Sequence, residues 1–133
     1  QDNLKLLTIE QWGNRAWRSM KGAFSGCANL TRIEKKAPNL SSVTDLSSMF
    51  LGAESFNQDI GSWDVSSVTD MSFMFGDAEE FNQDLSDWDV SAVTDMSFMF
   101  KGARAFTQDL SCWDLRKVKD MSFMFDGLGH LER

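Results

Sequence analysis

The 133-residue chain has no tyrosine, one proline, one histidine and two cysteines, and between residues 41 and 100 it has no lysine or arginine. Each shortage excludes something. The only histidine, His130, stands in the tail-like terminus, so no imidazole base is placed for a Ser or Cys nucleophile. Two cysteines, Cys27 and Cys112, do not make a disulfide framework. No apolar run approaches the roughly 18 residues that a bilayer-spanning segment needs. The chain opens on Gln without a signal peptide and so reads as a mature or excised fragment, whose compartment its start does not reveal.

The missing cations leave a lopsided charge. Residues 1–40 carry a balance of +4, residues 41–100 hold twelve Asp/Glu and a balance of −12, and residues 101–133 return to +1. An acidic middle of this kind repels nucleic acid phosphates and anionic lipid, and it favours basic partners or divalent cations.

What the chain has in abundance is repetition. VTDMSFMF occupies 68–75, recurs at 93–100, and returns as VKDMSFMF at 118–125. The period is 25. It aligns Val43, Val68, Val93 and Val118, then Asp45, Asp70, Asp95 and Asp120, and it keeps Trp63, Trp88 and Trp113 in step with Phe56, Phe81 and Phe106. A fixed period of this size is the signature of a solenoid. One unit buries too little apolar surface to offset the entropy of ordering it, so units must stack and share faces.

Within a unit, Met71, Met74, Phe75 and Ala78 have the spacing of one helix face, which predicts a short helix capped by Thr69 or Asp70. Leu85, Trp88 and Val90 in LSDWDV predict a short strand. The expected fold is therefore an α/β repeat solenoid, a right-handed coil of short strands and short helices. Its parts are an N-terminal cap over 1–24, about four stacked repeats over 25–128 with the first irregular at IEKKAPNL (33–40), and a tail over 129–133 of vector-like composition.

If Leu85, Trp88 and Val90 point inward, Ser86, Asp87 and Asp89 point outward, as do Ser62 and Asp64 one unit earlier and Cys112 and Asp114 one unit later. Strands about 4.8 Å apart would pile Asp64, Asp89 and Asp114 into an acidic column. The candidate binding residues are accordingly Ser62, Asp64, Asp87, Asp89 and Asp114, facing a basic or amide-rich partner, unless they are only a solvated face. The ladder of Asp45, Asp70, Asp95 and Asp120 reads as helix capping in preference to a cation site. The loops Asn57-Gln58-Asp59, Asn82-Gln83-Asp84 and Thr107-Gln108-Asp109 supply oxygens, yet lack the Asp-rich pattern of a calcium loop. Equivalent carboxylates have similar surroundings, whereas acid–base catalysis needs contrasting ones. No enzyme, cofactor or metal site is expected. Several layers separate Cys27 from Cys112, beyond the roughly 7 Å that a disulfide tolerates between Cα atoms, so no bridge is expected.

The segment AFSGCANLTRI (23–33) resembles the AFxxCxxLxxI signature of Treponema-type leucine-rich repeats of BspA-like bacterial surface proteins. The later units, W-D-V-S-x-V-T-D-M-S-x-M-F, resemble a 25-residue repeat common in mycoplasma surface proteins. Family members usually carry Tyr where Phe73, Phe98 and Phe123 stand. The resemblance implies a leucine-rich-repeat-like coil displayed outside a bacterial cell, with adhesion or protein binding as its task and no catalytic residue. The expected function is a non-catalytic binding module of a secreted or cell-surface protein, recognising an extracellular protein or glycan, with no nucleic acid and no membrane insertion. A structural spacer is the alternative. End-to-end self-association through the C-terminal face is a further expectation, because only DGLGHLER follows Phe125 here, with Leu128 to cover a little of that face.

Overall fold

The computed structural model describes residues 19–33 and 36–128. Residues 1–18 of the expected cap and the tail 129–133 lie outside the described residues.

The fold grows from a five-residue turn, D-Φ-S-x-Φ, where Φ is apolar. In Asp89-Val90-Ser91-Ala92-Val93 the carboxylate Oδ1 of Asp89 accepts the amide N–H and the hydroxyl of Ser91, at 3.0 and 2.6 Å. The amide of Val93 donates back to the carbonyl of Val90 at 3.0 Å and closes the turn. The Asp side chain thus occupies backbone donors that would otherwise be left without a partner. The period from 84 to 99 uses this module three times, as DLSDW (84–88), DVSAV (89–93) and DMSFM (95–99); the periods on either side have the same three corners, with Gly61 or Arg116 in place of one serine, and the first coil lacks the DLSDW corner. Asn39 replaces Asp at one corner and caps Ser41 in the same way. Ser19 does so at the first, accepting from Lys21.

Turns linked head to tail bring every third residue or so to one side, and that side is apolar. Leu85, Trp88, Val90, Val93, Met96, Met99, Phe100, Ala103 and Phe106 are all buried. The chain returns to the same place once per period. Parallel bridges join Ser19 to Asp45, Asp45 to Asp70, Asp70 to Asp95 and Asp95 to Asp120. The five bridged residues divide the described chain into coils 19–44, 45–69, 70–94, 95–119 and the partial coil 120–128. Residues 19–24, expected in the cap, already pair with the second coil, Met20 donating to Asp45 and Phe24 to Met49.

Neither predicted element takes a regular form. Among the described residues there is no helix, and 71–78 is a succession of turns. Met74 donates to Met71, Gly76 to Phe73 and Ala78 to Phe75. The alternate amides, Met71, Phe73, Phe75 and Asp77, donate to Asp95, Ser97, Met99 and Lys101 of the next coil. Half of the amides are thus committed between coils, and a helix would need them within. The pairing therefore runs along the DMSFMF side. Segment 84–93, which contains the predicted strand 85–90, makes no backbone hydrogen bond to a neighbouring coil among the described residues, because its Trp88 and Val93 amides close their own turns. Side chains join the coils there. The indole N–H of Trp88 donates to Ile60 C=O, and that of Trp113 to Leu85 C=O, both at 3.0 Å.

Two aromatic columns fill the core. Phe24, Phe50, Phe75, Phe100 and Phe125 stack at centroid spacings of 5.6, 5.5, 5.5 and 5.8 Å. Phe56, Phe81 and Phe106 form the second column at 6.0 and 6.2 Å. The columns touch within each coil, as in the 4.3 Å contact of Phe75 with Phe81. Offset stacked rings add a favourable quadrupole interaction to their buried area.

Candidate binding site

The turn module aims the acidic face. In each coil the two Φ side chains point into the core, so the Asp corners and the residues between them are left outside. Ser62, Asp64, Asp87 and Asp89 are exposed and Asp114 is half-buried. Asp64, Asp89 and Asp114 occupy the same corner of successive coils. Their charges are close enough that Asp89 pushes the Asp64 carboxyl up and Asp114 does the same to Asp89. Hydrogen bonds from Ser66 and from Ser91 outweigh that repulsion and hold both carboxyls below their ordinary value.

The third rung differs. Where Ser66 and Ser91 stand in the earlier coils, the fourth has Arg116. Its guanidinium grips Asp114 with both arms, Nε to Oδ1 at 3.0 Å and Nη2 to Oδ2 at 2.8 Å. This pairing holds the Asp114 carboxyl down at about 2. In Asp64 and Asp89 only Oδ1 is used, by the turn. Among the described residues nothing reaches their Oδ2 atoms, which leaves two carboxylates with one oxygen fixed and one free.

Ser62 and Asp87 are at equivalent positions but do not share this geometry. Ser62 lines a shallow groove of about 590 Å³ with Thr31, Arg32, Asn57, Gln58 and Asp59. The candidate residues therefore divide into a column of three carboxylates and, at a different place in the coil, Ser62 and Asp87, of which only the second is a carboxylate.

The other ladders are absorbed by the architecture. Asp45, Asp70, Asp95 and Asp120 each accept from the serine two residues on, so they cap turns and not the expected helices. Asp59, Asp84 and Asp109 do the same for Gly61, Ser86 and Ser111. Asn57 Oδ1 accepts the amide of Asn82, and Asn82 Oδ1 accepts that of Thr107, a side-chain ladder between coils. Among the described residues no group of His, Cys, Asp and Glu is arranged to hold a metal. Cys27 is buried, which pushes its thiol up, and Cys112 is exposed; both are free. Among the described residues no helix is long and apolar enough to cross a membrane.

The sequence signal for the free carboxylates was the D-Φ-S-x-Φ module itself. Its third residue changes from serine to arginine at a single corner, and that change marks the rung already occupied.

Compared with known proteins, residues 18–133 match the model of a family described as "Mycoplasma protein of unknown function, DUF285". No curated protein and no solved structure matches the chain.

Proposed function

The chain belongs to this mycoplasma-type family of unknown function, DUF285, and from that premise we propose that it is a non-catalytic binding module of a secreted or cell-surface bacterial protein. In this reading the coils form a leucine-rich-repeat-like solenoid of the BspA-like kind, and the column of Asp64, Asp89 and Asp114 recognises basic side chains of an extracellular protein. The observation that carries it is the Arg116–Asp114 pair. It displays, within the molecule, the partner chemistry that the free oxygens of Asp64 and Asp89 can accept: a planar, bidentate cation. A neutral glycan would use the same oxygens but would gain nothing from their charge.

The test replaces Asp64 and Asp89 with Asn. Asparagine keeps the turn, as Asn39 does, and removes the charge. Binding to immobilised arginine-rich peptides and to a panel of matrix proteins is measured at low and high salt. The proposal expects several-fold weaker, less salt-dependent binding, since exposed pairs contribute about 0.2–1 kcal/mol each. Unchanged binding would remove it.

A second reading, a spacer with no ligand of its own, is favoured by one observation. Every column carboxylate already has a structural task in capping its turn. The spacer reading expects neither the native protein nor the Asn variant to bind any member of the panel.

A further inference from the structure

One corner of the fold uses asparagine where its equivalents use aspartate. Asn39 stands 25 residues before Asp64 and heads the column of Asp64, Asp89 and Asp114. Its Oδ1 accepts the amide N–H and the hydroxyl of Ser41, at 3.1 and 2.7 Å. The carboxylates of Asp64 and Asp89 do the same with Ser66 and Ser91. Either residue therefore serves the turn. What asparagine adds is an amide nitrogen, and among the described residues Nδ2 of Asn39 has no hydrogen-bond partner.

This one exchange changes what the module spells. D-Φ-S becomes Asn39-Leu40-Ser41, an Asn-x-Ser/Thr acceptor triplet for N-linked sugar. Such a triplet needs a middle residue other than proline and an asparagine at the surface. Asn39 is exposed, while Leu40 is buried in the core. A sugar on Nδ2 would thus stand in solvent and disturb no core contact. The hydroxyl of Ser41, donating to Oδ1, draws electron density onto that oxygen and eases the loss of a proton from Nδ2. The other asparagines are less suited. Asn29-Leu30-Thr31 is a second triplet, but Asn29 is half-buried and already has a partner. Asn57 and Asn82 are each followed by Gln-Asp, and their Oδ1 atoms serve the ladder between coils.

We propose that Asn39 is a modification site, its Nδ2 carrying an N-linked sugar in the exported protein. The proposal rests on the reading of the chain as a secreted or cell-surface protein. The step is a glycosyl transfer from a diphosphate-activated sugar, carried out by a transferase of the export route. Nδ2 bonds to the anomeric carbon as the bond from that carbon to the diphosphate oxygen breaks. The diphosphate leaves with the electron pair, and Nδ2 gives up one proton to a base of the transferase. The sugar then stands one coil from Asp64, at the N-terminal edge of the acidic column, where it bounds the face left to a partner.

The experiment recovers the chain from the surface and cytoplasmic fractions of the cells that make it. Its peptides are sequenced by mass spectrometry with a fragmentation that leaves sugars in place. The Asn39 peptide of the surface chain is expected to carry a sugar mass on that residue. Asn39→Asp, which keeps the turn, and Ser41→Ala should each leave the peptide bare. Ser41→Thr should keep the sugar, and Asn29→Asp should leave the Asn39 peptide unchanged. A bare Asn39 in chain found at the surface overturns the proposal and leaves the surface reading standing. A bare chain confined to the cytoplasm overturns both. Sugar that survives Ser41→Ala, or that is found equally on Asn57 and Asn82, also overturns the proposal, because the triplet would then not be what the transferase reads.

Discussion

Phe73 and Phe98 lie face to face, ring centroids 4.5 Å apart and planes within 4°, and both hold their backbone near φ +60°. Phe123 continues the stack at 5.1 Å with φ +57°. Left-handed backbone costs an ordinary residue about 1–2 kcal/mol. In this column the rings offset the cost by stacking outside the core. The first coil has Gly22 at this place and the second Ser48.

The column makes an unusual substitution order. Phe98→Gly relieves the backbone and loses two stacks, each worth about 0.5–1.5 kcal/mol, so its net effect is small. Phe98→Val loses the stacks, keeps the left-handed cost and adds a branch at Cβ, so it should be clearly the worse of the two. Urea denaturation of both variants checks this. Equal stability would argue against positive φ at the position.

Gly102 has φ +73°, and a Cβ added there would collide with the carboxylate of Asp77 in the coil below. Gly102→Ala should therefore destabilise by about 1–3 kcal/mol through strain and crowding together. Asp77→Gly removes the colliding group and suits its own φ of +55°. The double variant should recover part of the loss, and a double-mutant cycle in urea measures the coupling. Additive losses would mean that the two coils are not in this register.

Turn-capping carboxylates make stability depend on acid. Asp64, Asp84, Asp89, Asp109 and Asp120 are held below 3.8 by hydrogen bonds from their turn serines, and Asp114 is held at about 2 by Arg116. Folded-state values below unfolded ones contribute stability that is complete above the unfolded value and is lost as pH falls through the folded one. The thermal midpoint should therefore be level above roughly pH 5 and fall between pH 4 and about 2. Arg116→Ser should move the lower end of that fall upward, because Asp114 loses its guanidinium. Melting curves across the range check both.

Thiol chemistry separates inside from outside. Cys112 is exposed, with its Sγ against Ser86 C=O at 3.3 Å, whereas Cys27 is 1% exposed and its thiol is pushed up by burial. A maleimide should label Cys112 in the native protein and reach Cys27 only after denaturation. Peptide mapping of the labelled chain reads the outcome.

The period of 25 was legible because Val, Asp, Trp and Met-Phe recur at fixed distance, and each occupies one structural place. The form of the unit was not. Met71, Met74, Phe75 and Ala78 match a helix face, but two consecutive turns, 71–74 and 75–78, bring the same residues inward. Apolar spacing of three and four cannot distinguish these cases. The distinguishing signal is an Asp at up to three corners of a period, usually two residues before a Ser, as at Asp84, Asp89 and Asp95, a pattern that caps turns and that a helix would use once. The acidic column was legible from the alternation in LSDWDV, since Trp88 and Val90 do point inward. That one oxygen of each carboxylate is occupied by its own turn was not, because it depends on the side-chain rotamer.

Amide hydrogen exchange of the free protein tests the stacked-coil account most directly. The amides of Phe73 and Phe98 donate to Ser97 and Ser122 of the next coil at 3.0 Å, and that of Phe123, in the same column, has no acceptor among the described residues. The account predicts strong protection at Phe73 and Phe98 and rapid exchange at Phe123. Comparable exchange at all three would contradict it.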